Sequence, residues 1–139
     1  MLRPLTVTML VLALASAAQA AGDSPMKRQM TTVVGPASGT LFGIAGEVDP
    51  ANGPDAAKVP AAQWMKAASA GATLQKAAVA MQAPPYAKDK GLWVSQAKKM
   101  AAISQAAASA AKTRNGQALS QAANDLSDVC SACHAKYRP

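Results

Sequence analysis

"QALSQAANDLSDVCSACHAKY", residues 117–137, sets Leu119, Ala122, Leu126, Val129, Cys133 and Tyr137 at successive steps of three or four. That spacing is one face of an α-helix and has no period-two component. The same stretch holds both cysteines and the only histidine of a 139-residue chain, within five positions. Cys130 and Cys133 are three apart, so on a helix they lie about one turn from each other on one side.

Three further helical segments lie upstream. The first starts at Ser24-Pro25, a hydroxyl cap followed by proline at the first helical position. It continues through Met26, Met30, Val33, Ala37, Leu41 and Ile44, one face interrupted by Gly35 and Pro36. Pro36 has no amide hydrogen for the carbonyl of Thr32, so a kink is expected there. Residues 46–60, "GEVDPANGPDAAKVP", form a turn-rich connection. The second segment, residues 61–81, carries Trp64, Ala67, Gly71, Leu74, Ala78 and Met81 on one seam, and "APPY" at 83–86 stops it. The third, residues 90–112, carries Trp93, Ala97, Met100, Ser104, Ala107 and Ala111, and "RNG" at 114–116 marks a helix end and turn. The expected class is all-α, an up-down-up-down antiparallel four-helix bundle.

The seams of these segments are rich in alanine, with Gly71 and Ser104 among them. Alanine favours helix but buries little apolar surface. Two readings stay open: close packing of the helices, or room left for something large and apolar.

The amino terminus, "MLRPLTVTMLVLALASAAQA", has a basic start at Arg3, an apolar run and a small-x-small end at Ala18-Gln19-Ala20. It reads as a signal peptide, residues 1–20, cleaved after Ala20, which leaves residues 21–139 as a single domain. The apolar run is short for a membrane span, so no stable membrane anchor is expected. Export places the mature chain in an oxidising compartment, the periplasm, where two free thiols would not stay idle. The chain carries 14 Lys+Arg against 7 Asp+Glu, a net charge of +7. Its cations are scattered and only 4% of its residues are aromatic, so no nucleic-acid-binding surface is expected. The basic balance fits an acidic protein partner.

In "CSACH", two thiols one turn apart can each add across a vinyl group of a haem, and His134 next to them can reach the iron. C-x-x-C-H therefore reads as a covalent attachment site for one haem c, with Cys130 and Cys133 as thioethers and His134 as proximal ligand. Three other readings compete. A thioredoxin-like dithiol sits where a helix starts after a strand, and no strand is expected here. A structural zinc site needs four ligands, and only these three are at hand. A disulfide between Cys130 and Cys133 would close a very small loop and leave His134 unexplained. With one histidine, bis-histidine ligation within one protomer is excluded. The opposite face of the iron is then empty, closed by an apolar side chain, or bound by methionine or lysine. Met26, Met30, Met65, Met81 and Met100 are the methionines beyond the signal segment, and each also serves as ordinary core filler.

The motif and its helical setting resemble the class II c-type cytochromes, the family that includes cytochrome c prime. The matching residues are Cys130, Cys133, His134, Tyr137 and Arg138, in the pattern C-x-x-C-H-x-x-Y-R. The resemblance implies a four-helix bundle with one haem near the carboxyl terminus and a distal residue on the first helix. In "SPMKRQM" it implies Met30 as sixth ligand, as in the low-spin members, and Arg28 beside a haem propionate. Pro36 departs from the family pattern and puts the register of that helix in question, so Met26, one turn earlier, and no protein ligand at all remain alternatives. Trp64 and Trp93 are candidates for packing on the porphyrin and equally for ordinary core.

Two functions follow from the resemblance. With both axial positions filled the chain is an electron carrier, its lysines (Lys88, Lys90, Lys98, Lys99, Lys136) steering an acidic redox partner. With the distal face closed by Val33, Val34 or Leu41 it is a five-coordinate protein binding nitric oxide or carbon monoxide. Homodimers through the first two helices are common in such families. No carboxylate pair, phosphate loop or nucleophile–base arrangement occurs, and no distal histidine is available for work on peroxide, so the chain is not read as an enzyme.

Overall fold

The structure is a computed structural model that describes residues 22–53 and 58–138; the signal peptide expected over residues 1–20 lies outside the described residues. It contains α1 (Pro25–Gln29), a π-turn (Met30–Val34), α2 (Gly35–Glu47), a short 3-10 turn (Pro50–Asn52), α3 (Ala61–Ala80), α4 (Leu92–Lys112) and α5 (Gly116–Tyr137). Among the described residues there is no strand. Nor is any helix there long and apolar enough to cross a membrane. The class is all-α, with α1, the π-turn and α2 forming one interrupted helical run.

Ser24 starts that run as its sequence suggests. Its Oγ accepts from the amide of Lys27 at 3.2 Å, and Pro25 takes the first helical position. The run does not bend at a simple proline kink. One residue is added to the turn ahead of Pro36, and the amide of Gly35 donates to the carbonyl of Met30, five residues back. Pro36 thereby falls in the first turn of α2, where its missing N–H costs nothing.

The connection after α4 closes as a Schellman motif. Asn115 N–H donates to Ala110 O at 2.9 Å and Arg114 N–H to Ala111 O at 3.1 Å. The left-handed residue is Arg114, at φ 53°, rather than the glycine of "RNG". Gly116 is instead the first residue of α5, capped by Asn115, whose Oδ1 accepts from Ala118 N–H at 3.0 Å.

Packing joins α2 to α3 and α5, α3 to α4, and α4 to α5. Leu41, Leu74, Leu119 and Leu126 are fully buried and form the centre of the core. The alanine seams are resolved by Gly71. A Cβ built there would meet Ala108 N at 2.8 Å and Ser104 O at 2.9 Å, so the backbones of α3 and α4 are in direct contact. Ala67, Ala78, Ala107 and Ala111 are all 0% exposed. These small residues serve close packing and do not leave a hole.

Gly71→Ala tests this contact. On an exposed helix the change gains about 1 kcal/mol from propensity. Here an extra methyl pressed against backbone costs about 1–3 kcal/mol, so the net effect is a loss of stability. Urea denaturation should show a lower midpoint for Gly71→Ala, whereas the same change at Gly39, where a Cβ meets nothing within 4 Å, should not lower it.

Candidate functional site

A cavity of about 590 Å³ lies where α1, the π-turn, the end of α3, the start of α4 and the end of α5 come together. That volume is within the range of about 300–1,000 Å³ typical of small-molecule and cofactor sites. Cys130, Cys133 and His134 all line it from α5, and Met26 and Met30 line it from the first helical run. The residues singled out in the sequence at opposite ends of the chain therefore share one space. Arg28 does not: it is exposed and lies outside the wall. The cations on the wall are Lys27, Lys88 and Arg138. Lys27 is already paired, its Nζ 2.7 Å from Asp23 Oδ1.

The wall is made by bulky side chains. Trp93, Met81 and Met100, each nearly buried, contribute to it, while of the alanines only Ala97 does. Trp64, the second tryptophan, is buried elsewhere. Val34 lines the cavity, whereas Val33 and Leu41 do not. Gln96, 8% exposed, adds a polar side chain to the buried part of the wall.

The thiols sit where the thiolate form is disfavoured. Burial pushes both up from the ordinary thiol value, and at Cys130 the neighbouring Cys133 adds to the shift. The motif also sits in the last turns of α5, where the negative end of the helix dipole disfavours a thiolate. Reactive C-x-x-C thiols are found in the opposite setting, at a helix N-terminus with a lowered pKa. Among the described residues no group of three or more His, Cys, Asp or Glu side chains could hold a bare metal ion.

The end of α5 is held by a contact that no motif announced. Tyr137 OH donates to Asp89 Oδ2, and Asp89 Oδ1 accepts from the amides of Gly91 at 2.8 Å and Trp93 at 3.1 Å. One carboxylate thus caps α4 and anchors the last turn of α5. Trp93 completes the arrangement: its ring meets that of Tyr137 edge-on at 5.0 Å, and its Nε1–H donates to Met81 O at 2.6 Å. Asp89 sits in "YAKDKG", and its only signal in the sequence is an acidic residue just ahead of a helix start.

The clasp makes stability depend on pH in two directions. Asp89 is held below the usual 3.8, first by the Tyr137 hydroxyl and then by the Trp93 and Gly91 amides. Tyr137 is pushed up from 10.0 to about 12, first by its hydrogen bond to Asp89. A lowered carboxyl stabilises the fold above its unfolded pKa and loses that contribution as pH falls through the folded value. A raised phenol contributes fully below 10.0 and loses its share as pH rises towards 12. Thermal unfolding should therefore show wild type losing more stability than Tyr137→Phe between pH 10 and 12. Equal losses would remove the clasp from the account. In haem-free protein at pH 7, both cysteines should alkylate more slowly than a free thiol, as their raised pKa requires.

No protein-family model, curated protein or solved structure matches the chain. The functional reading is carried by this cavity and the residues that line it.

Proposed function

We propose that the chain is an exported monohaem c-type cytochrome acting as an electron carrier. In this reading haem is thioether-linked at Cys130 and Cys133, with His134 as proximal ligand and Met30 as sixth ligand. The observation that carries it is the shared cavity: two thiols and the sole imidazole on α5 face the same apolar space as Met26 and Met30. Haem is supported over a bare metal ion, since among the described residues no group of three or more His, Cys, Asp or Glu side chains could hold one.

Bound there, haem supplies a one-electron couple. The protein's part is attachment, ligation and exclusion of water. In attachment each Sγ forms a C–S bond to one vinyl carbon, and the thiol proton passes to the other, with no net oxidation. His134 and Met30 are the residues that would hold the iron, and with both in place its coordination would change little on electron transfer. Trp93, Met81, Met100 and Val34 keep the site apolar. Lys88 and Arg138, in no ion pair among the described residues, stand on the wall where cofactor carboxylates would find countercharge; Arg28 has that role only by family resemblance.

The up-down-up-down antiparallel order belongs to the same proposal. Two contacts support it for α3 and α4: Gly71 meets Ala108, and ten residues further along Met81 meets Trp93. An acidic redox partner, periplasmic location and a homodimer complete the reading. A second reading rests on Val34, 6% exposed on the cavity wall: it can close the distal face of a five-coordinate haem that binds nitric oxide or carbon monoxide.

Expression with export and haem-attachment machinery tests both. The purified chain should carry the mass of one covalent haem and show narrow low-spin bands that carbon monoxide scarcely alters. Met30→Ala should become high-spin and bind carbon monoxide. A bare-chain mass would end the haem reading, and carbon monoxide binding by the parent would favour Val34 closure over Met30 ligation.

A further inference from the structure

Between Met30 and Val34 the first helical run leaves α geometry, and two adjacent residues select that departure from opposite directions. Pro36 rejects the continuous α-helix, because it cannot donate to the Thr32 carbonyl and its ring would press on it. Gly35 admits the π-turn: a Cβ there would lie 3.0 Å from Met30 O, tighter than side chains ordinarily tolerate. The threonine hydroxyls follow the loosened ladder, Thr31 Oγ1 donating to Lys27 O at 3.0 Å and Thr32 Oγ1 to Arg28 O at 2.8 Å.

The extra residue changes which side chains share a line. In an unbroken α-helix residues seven apart align to within about 20°. Met26 would then follow Val33, and Lys27 would follow Val34. Val33 faces a separate groove lined also by Pro36, Ala37 and Ala70, whereas Val34 faces the cavity. With one residue added, Met26 instead comes into line with Val34. Met26 and Met30 line the cavity; Lys27 touches its wall too, but its amine is 2.7 Å from Asp23 Oδ1 and its side chain is 64% exposed.

We propose that Gly35 and Pro36 are positioning residues: by fixing the π-turn they set the rotation of α1, turning Met26 towards the cavity beside Met30 and holding the Lys27 amine at its rim, on Asp23. The rotation stands on the backbone alone. Its consequence for axial ligation rests on the haem reading above.

Pro36→Ala restores the missing amide and should let the run relax to a continuous α-helix, turning Lys27 inward. In haem-free protein, acetylation of Lys27 measured against exposed Lys112 should fall severalfold, with helix content by circular dichroism unchanged. Gly35→Ala alone suits neither geometry and should lower the thermal midpoint. Gly35→Ala combined with Pro36→Ala should recover that midpoint and reproduce the Lys27 protection. In haem-loaded protein, Pro36→Ala should lose the spectral signature of methionine ligation while its covalent haem stays. Unchanged Lys27 labelling in folded Pro36→Ala, or a Gly35→Ala variant as stable as the parent, would overturn the proposal. A parent chain that binds no haem would sink the functional reading, but the labelling and thermal results would still decide this one.

Discussion

The meeting of α3 and α4 at Gly71 governs the rest of the molecule. With backbone against backbone at mid-helix, the contact is made by residues that hardly project. Farther along the same pair, Met81, Trp93 and Met100 do project, and there the helices enclose space. Side-chain size thus divides the bundle into a tight part and an open part. The open part coincides with the last turns of α5, where Cys130, Cys133 and His134 lie.

Much of this was legible in the sequence because it depends on local chemistry. Ser24-Pro25 marks a helix start by capping and by a missing donor that matters nowhere else. The apolar spacing of residues 117–137 survives as α5, and C-x-x-C-H gathers on one side because three residues make nearly one turn. What stayed hidden depends on neighbours distant in the chain. Alanine at 107 or 111 looks the same whether it meets a backbone or a void. Asp89 and Tyr137 are 48 positions apart, and nothing local to either names the other. The left-handed Arg114 was hidden for another reason: the sequence offers a glycine two residues later, but the Schellman bonds require the turn earlier.

The chemistry of the site follows from its address on the helix. The same two thiols at the start of a helix would be acidified and reactive. Near its end, half-buried, they are pushed towards the protonated form. His134, at the rim and exposed, is free to turn towards whatever enters. The clasp of Asp89 on Tyr137 keeps this terminal turn seated on α4, so the three groups stay over the cavity.

The unequal placement of the two tryptophans gives the molecule its own optical gauge. Trp93 forms part of the cavity wall, with its indole N–H committed to Met81, while Trp64 is buried away from it. Filling or emptying the cavity changes the surroundings of one indole far more than the other, so its emission colour tracks occupancy against a fixed internal standard.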